Sequence, residues 1–154
     1  MRLRHTTLVA VPLAVAALGL ASCTPDTTRA RVEHDFAATF SYQYAQSLQR
    51  QGKPVVRPRI ASTVCHNSTD PATDTGPGSW GCEIKYTVAG GKPQDENWLA
   101  LVDALGCYQA FTQDDTKRYR EITDVYSHKR ILDPAGSFDG CYDVYDARTG
   151  SGKR

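Results

Sequence analysis

The 154-residue sequence lacks the short motifs that mark the common classes of enzyme. It has no Gly-x-Ser-x-Gly turn, no His-Glu-x-x-His helix motif and no phosphate-binding loop. No two of its five cysteines form a Cys-x-x-Cys pair, the spacing typical of a zinc site. Glu83, Glu96 and Glu121 are the only glutamates in the region where a sheet is predicted, and nothing near them in sequence indicates a raised pKa. We therefore expect a protein that is not an enzyme and that binds no metal ion or other cofactor.

The sequence also lacks a large net charge. It has 18 basic and 17 acidic side chains, and loss of Arg2 and Arg4 with a leader peptide would leave a formal charge of −1. Proteins that bind nucleic acid usually carry a marked excess of positive charge. We therefore expect no nucleic-acid partner.

One long uncharged run is present, at residues 6–21, and it follows Arg2, Arg4 and His5. A membrane-spanning helix needs about 20 apolar residues. This run is shorter and contains Pro12. A basic start followed by a short apolar run is typical of a secretion signal.

The sequence Leu-Ala-Ser-Cys at residues 20–23 ends this run and resembles the lipobox of bacterial lipoproteins. The resemblance implies that Cys23 receives a diacylglyceryl group and becomes the first residue of the mature chain. Two acyl chains are enough for stable attachment to a membrane. We therefore expect a signal peptide at 1–22, a lipid-anchored spacer at 23–28 and a location on the extracytoplasmic face of the cell membrane. The alternative is ordinary secretory cleavage, with Cys23 as a structural cysteine.

Assigning Cys23 to the lipid leaves four cysteines, an even number that suits an oxidising compartment. Four cysteines allow three pairings. We favour Cys65 with Cys82 and Cys107 with Cys141, because each disulfide then joins neighbouring segments and the two Gly-Cys-Tyr motifs meet. In a chain-entropy treatment, loops of these sizes stabilise a fold by roughly 3 and 4 kcal/mol.

Residues 29–50 contain neither Gly nor Pro, and an apolar side chain stands at every fourth position from Val32 to Leu48. This spacing predicts an amphipathic helix that ends before Gly52 and Pro54. Packing in the core is the simpler role for its aromatic stripe. The alternative is a cavity between helix and sheet for a small apolar ligand or lipid, lined by Phe36, Phe40, Tyr44 and Trp80.

Residues 80–88 alternate between apolar and polar side chains and predict a strand with Cys82 on its core face. Residues 97–111 fit either a helix or a hairpin. We prefer a hairpin with its turn at 103–106, because Gly106 followed by Cys and Tyr is typical of the start of a strand. Further β-favouring residues lie at 118–132, and a last strand is expected at 138–145.

These elements predict a single α+β domain at 29–146, followed by a disordered tail at 147–154. Its architecture is an N-terminal amphipathic helix packed on a four- or five-stranded antiparallel sheet with two disulfides.

Three motifs stand in order behind the lipobox: Trp-x-Cys at 80–82, Gly-Cys-Tyr-x-Ala at 106–110 and Phe-Asp-Gly-Cys-Tyr-Asp at 138–143. Together they resemble a group of small, uncharacterised actinobacterial lipoproteins. The resemblance covers most of residues 64–143, and the chain departs from it at 98–101, where the group has a plainer alternating strand. It implies the fold and the lipid anchor, and it implies no activity.

The expectation for function follows from the tether, the two disulfides and the missing catalytic motifs. We expect a non-catalytic binding or structural module of the cell envelope, which contacts the membrane through its lipid and another envelope or extracellular protein. The alternative is a carrier of a small apolar ligand or lipid.

Overall fold

The computed structural model describes residues 26–142. The predicted signal peptide, lipidation at Cys23 and tail at 147–154 lie outside the described residues. So do residues 23–25 of the predicted spacer and residues 143–146 of the predicted domain. The described elements are, in chain order, α1 (Arg29–Arg50), β1 (Arg59–Asn67), β2 (Gly78–Thr87), β3 (Pro93–Val102), β4 (Cys107–Thr112), α2 (Asp115–Arg118), β5 (Glu121–Thr123), β6 (Arg130–Leu132) and β7 (Ser137–Cys141).

Five of the strands form one antiparallel sheet in the order β1-β2-β3-β4-β7. A four- or five-stranded antiparallel sheet was predicted, and the observed sheet has five strands. Strands β5 and β6 form a separate two-stranded sheet, which the sequence did not predict as a distinct unit. None of the described helices is both long and apolar enough to cross a membrane.

The ambiguous segment at 97–111 forms a hairpin between β3 and β4, so the helical alternative is wrong. Alternate residues of β3, among them Trp98 and Ala100, are buried, while Leu101 between the core positions is exposed. The turn is held by Asp103, whose Oδ1 accepts hydrogen bonds from the backbone N–H groups of Leu105 and Cys107 at 2.8 and 2.9 Å. Burial of every second side chain, followed by a tight polar turn, favours a strand over a helix.

Helix α1 has the bounds that its sequence pattern predicts. Its end follows from Gly52, which has a φ of 68° and lets the Lys53 amide donate to the Leu48 carbonyl at 2.9 Å. The apolar side of the helix contacts the sheet through aromatic rings. Phe36 and Phe40 each lie 5.7 Å, centroid to centroid, from Trp98.

Both predicted disulfides are present, Cys65–Cys82 and Cys107–Cys141. The first joins residues in register on β1 and β2 and is buried in the core. The second joins residues in register on β4 and β7 on the opposite face of the sheet, where Cys141 is exposed. Each bond therefore fixes one strand of an edge pair to its neighbour.

The described part of the predicted spacer contacts the domain. Thr27 is buried, and its carbonyl accepts a hydrogen bond from the Gly76 amide at 2.9 Å. Thr28 forms an isolated antiparallel bridge with Thr75 in the loop between β1 and β2. The chain is therefore fixed to the domain from Thr27 onward, which shortens any free spacer.

Candidate functional site

Strands β4 and β7 are neighbours in the sheet, yet residues 113–136 separate them in sequence. Adjacent antiparallel strands are commonly joined by about 2–5 residues. We call residues 113–136 the β4–β7 excursion; it contains α2, β5 and β6. Because the sheet does not require so long a connection, the excursion is the first place to look for a functional surface.

The excursion exposes several large apolar or aromatic side chains. Tyr119 and Tyr126 are 68% and 65% exposed. Val125, which precedes Tyr126, and Leu132 in β6 are also exposed. Single exposed apolar residues are ordinary on a protein surface. Four in one short segment, two of them tyrosines, are a feature of contact surfaces.

A buried carboxylate holds the tip of the excursion, the turn between β5 and β6. Asp124 is only 2% exposed, and its Oδ2 accepts hydrogen bonds from the Ser127 hydroxyl at 2.6 Å and from Arg50 Nη1 at 3.1 Å. Its Oδ1 accepts one from the Tyr126 amide at 3.3 Å. The Ser127 hydroxyl is the main cause of a lowered pKa at Asp124, with further contributions from the Tyr126 amide and the Arg50 charge. Asp124 is therefore ionised at neutral pH and fixes the turn that presents Tyr126.

A second buried carboxylate holds the base of the excursion. The side chain of Asp133 is fully buried and accepts hydrogen bonds from the Arg120 guanidinium, with Nε at 2.7 Å from Oδ2. Its Oδ1 accepts a further bond from the Ala135 amide at 2.9 Å. Nearby, Gly136 lies so close to the backbone of Lys117 that a Cβ at this position would collide with the Lys117 carbonyl. The two ends of the excursion are therefore packed against each other.

A cleft of about 170 Å³ lies between the excursion and the main body of the domain. Its lining residues come from α1, β2, β3 and the excursion: Phe40, Tyr44, Tyr86, Gln94, Glu96, Lys117, Arg120 and Ala135. The Tyr86 hydroxyl donates to Glu96 Oε1 at 2.6 Å, and Lys117 Nζ donates to the same oxygen at 2.5 Å. Burial raises the pKa of Tyr86, so its hydroxyl stays protonated. This arrangement can donate and accept hydrogen bonds, but the main charges of the cleft already have partners.

The structure separates the four residues that were predicted to line a ligand cavity. Phe40 and Tyr44 line the cleft described above. Phe36 and Trp80 are fully buried, Phe36 against Phe138 at 5.6 Å between ring centroids, and Trp80 with its Nε1–H donating to the Gly76 carbonyl at 3.2 Å. The cleft is also smaller than the roughly 300–1,000 Å³ typical of pockets that enclose a small molecule.

Residues 26–142 contain no cluster of three or more His, Cys, Asp or Glu side chains arranged to hold a metal ion. The four cysteines of this part of the chain are all in disulfides and offer no free thiol.

The surface beside the excursion tip is basic. Residues 50–59 contain four basic and no acidic side chains, and the excursion itself contains five of each. The Val125 amide donates to the Arg50 carbonyl at 2.9 Å, so the tip lies against the end of α1, where this basic segment begins. The remaining described residues contain four basic and ten acidic side chains, so the charge of the domain is unevenly distributed.

The excursion was not predicted from the sequence. The available signal is the distance between the two Gly-Cys-Tyr motifs: once Cys107 and Cys141 are paired, most of the intervening residues must leave the sheet. Comparisons of the chain with protein-family models, with curated proteins and with solved structures found no match.

Proposed function

We propose that this chain is a lipid-anchored lipoprotein on the extracytoplasmic face of the cell membrane, and that it serves as a non-catalytic binding module of the envelope. The binding surface is the β4–β7 excursion, and the partner is another envelope or extracellular protein. The observation that carries the proposal is a long connection that exposes Tyr119 and Tyr126 while two buried carboxylates hold it in shape.

The excursion is preorganised for binding. Tyrosine is enriched at the centres of protein interfaces, because it offers a large contact area and loses little conformational entropy. A loop that is ordered before binding avoids the entropic cost of ordering it in the complex. Asp124 fixes the turn around Tyr126 through four hydrogen bonds, two of them from Ser127. The excursion therefore has the two properties that a binding loop needs, exposed contact area and a fixed shape.

The charge distribution supports a partner with an acidic surface. The excursion and residues 50–59 together carry nine basic and five acidic side chains, a formal excess of +4. Such an excess accelerates association with a surface of opposite charge, and salt screens it. The yield of the complex should therefore fall as ionic strength rises.

The alternative, a carrier of a small apolar ligand or lipid, has weaker support. Phe40 and Tyr44 line a cleft, but the cleft is about 170 Å³ in volume and contains the Glu96–Lys117 ion pair. An apolar ligand in this cleft would remove water from the ion pair and would offer it no hydrogen bonds in return, which is unfavourable.

A photo-cross-linking amino acid placed at Tyr126 tests the proposed surface in intact cells. The matched control is the same amino acid at Tyr42, which is 50% exposed and lies on α1, outside the excursion. We expect one defined protein adduct from position 126, absent from position 42 and reduced when salt is added. Equal adducts from both positions, or none from position 126, would contradict the proposal.

The anchor is tested separately with a Cys23→Ala variant. We expect this variant to leave the membrane fraction, because the proposed lipid attachment is lost. If it stays with the membrane, the lipid anchor is wrong, whatever the cross-linking shows.

A further inference from the structure

The chain leaves the described domain at a defined end of the sheet. Thr27 and Thr28 pair with Thr75 and Gly76 in the loop between β1 and β2. Ala104, in the turn between β3 and β4, lines the same groove as Thr27 and Gly76. We call this the anchor end; it consists of residues 26–28, the 68–77 loop and the 103–106 turn.

The length of chain between this end and Cys23 is short. Four peptide units separate Cys23 from Thr27, and a fully extended chain spans at most about 3.6 Å per residue, or about 14 Å. The headgroup region of a bilayer is about 5–8 Å thick on each side. A lipid on Cys23 therefore keeps the anchor end within reach of the headgroups, whatever path the chain takes.

The anchor end presents an apolar side chain at the tip of a rigid turn. Leu105 is 70% exposed, the largest exposed fraction among the large apolar residues of the described chain. Asp103 fixes the turn by accepting hydrogen bonds from the amides of Leu105 and Cys107. Gly106 has a φ of 81°, a conformation that favours glycine, and its amide donates to the Asp103 carbonyl at 3.3 Å. The turn therefore holds Leu105 outward instead of letting it fold back on the domain.

The charges of the anchor end give it no electrostatic attraction to anionic lipid. Arg29 is ion-paired with Glu33 and Asp74, and Arg31 donates to the Asp26 carbonyl at 3.2 Å. Aspartates lie in each segment of the anchor end: Asp26, Asp70, Asp74 and Asp103. The contribution to lipid contact must therefore come from apolar burial.

We propose that the anchor end rests on the outer leaflet with Leu105 inserted at the boundary between headgroups and acyl chains. This inference rests on the lipid attachment at Cys23 proposed above, and it adds an orientation. Helix α1 starts at the anchor end and has 22 residues, a length of about 33 Å at 1.5 Å per residue. Arg50, which binds the tip of the excursion, stands at its far end. With α1 along the membrane normal, this orientation places the excursion tip up to about 30 Å from the lipid, on the side of the domain that faces away from the membrane.

Tryptophan fluorescence tests the contact in the full lipidated protein. Leu105→Trp is compared with Lys92→Trp, which lies in the exposed turn between β2 and β3 at the opposite end of β3. Both proteins are reconstituted in phosphatidylcholine vesicles whose lipids carry bromine on the upper acyl chain. The native Trp80 and Trp98 are fully buried, and the unsubstituted protein supplies their background signal.

We expect bromine to quench at least half of the added emission from Trp at position 105, with a blue shift, and to leave position 92 unchanged. Equal quenching at both positions, or none at position 105 in protein that sediments with the vesicles, would overturn the lipid contact and leave the anchor intact. Protein that fails to sediment would overturn both. Quenching that arises only when phosphatidylglycerol is added would also overturn the inference, because the contact would then be electrostatic.

Discussion

Removing the Cys65–Cys82 disulfide should weaken the fold more than removing Cys107–Cys141, although it closes the shorter loop. The comparison uses two double variants with the same chemistry, Cys65→Ala with Cys82→Ala, and Cys107→Ala with Cys141→Ala. The disulfides close loops of 17 and 34 residues. Loop entropy alone therefore predicts losses of about 3 and about 4 kcal/mol.

Burial reverses this order. Cys65 and Cys82 are 0% and 2% exposed in the core, so two alanines there leave two cavities of about the size of a methyl group. Each such cavity costs about 1 kcal/mol. Cys141 is exposed and Cys107 is half-buried on the outer face, where solvent fills the space that the sulfur atoms leave. The expected losses become about 5 kcal/mol for the core pair and about 4 kcal/mol for the outer pair.

Urea unfolding followed by tryptophan fluorescence measures both losses, with the free energy of unfolding extrapolated to water. A larger loss for the Cys107–Cys141 variant would show that loop entropy outweighs burial here and would refute the reasoning. The outer disulfide also joins the two strands that flank the excursion. Its removal should therefore lower the cross-linking yield from position 126 more than removal of the core disulfide does.

Three further predictions concern single side chains. Gly136→Ala should displace the excursion, because its Cβ would collide with the Lys117 carbonyl. The variant should therefore lower both the melting temperature and the yield of the cross-linked adduct from position 126. Gly81→Ala is the control and should change neither, because its Cβ would meet only Ser68 Oγ at 3.8 Å. Ser127→Ala should raise the pKa of Asp124 more than Arg50→Met does, because the Ser127 hydroxyl is the largest cause of the lowered pKa. The stability that the Asp124 carboxylate contributes is present above its unfolded pKa of 3.8 and is lost as pH falls through the lower folded pKa. Carboxyl NMR titration measures the pKa of Asp124 in both variants, and a higher pKa in Arg50→Met than in Ser127→Ala would contradict the prediction. Burial raises the pKa of Tyr108 from 10.0 to about 12, so its contribution is complete below pH 10 and is lost as pH rises toward 12. Urea unfolding should show that the free energy of unfolding falls less between pH 9 and pH 11 in Tyr108→Phe than in the unsubstituted protein. An equal fall in both proteins would contradict this prediction.

The parts of the fold that the sequence predicts well are those with a strong repeating pattern. Helix α1 has an apolar residue at every fourth position and a glycine at its end, and its bounds were predicted correctly. Strand β2 alternates between buried and less buried side chains from Trp80 onward, which placed Cys82 on the core face. The disulfides were predicted in two steps: setting Cys23 aside leaves four cysteines, which allow three pairings, and the favoured pairing joins neighbouring segments.

The excursion could not be predicted in the same way, because its strands are too short to show a period. β5 and β6 have three residues each, and Ile122 is the only residue of β5 that is buried. The side-chain contacts that hold it are polar, and the one that ties its tip to α1 joins Arg50 and Asp124, which are 74 residues apart in sequence. In a sequence, buried aspartates look the same as the solvated aspartates of any loop. The contact of Thr27 with Gly76 could not be predicted either, because it is a backbone hydrogen bond and leaves no pattern in the side chains.

The two buried aspartates also bear on what the excursion is for. Burying a carboxylate costs free energy that hydrogen bonds and an ion pair must offset, and an apolar residue of similar size is often at least as stabilising. If stability alone mattered, a short hairpin between β4 and β7 would serve better than an excursion held by Asp124 and Asp133. Polar contacts of this kind fix one geometry, because each hydrogen bond has a preferred direction. The excursion therefore maintains a particular shape. Tyr126 is exposed beside the end of α1 that is opposite the proposed anchor, and this combination is what a binding surface requires.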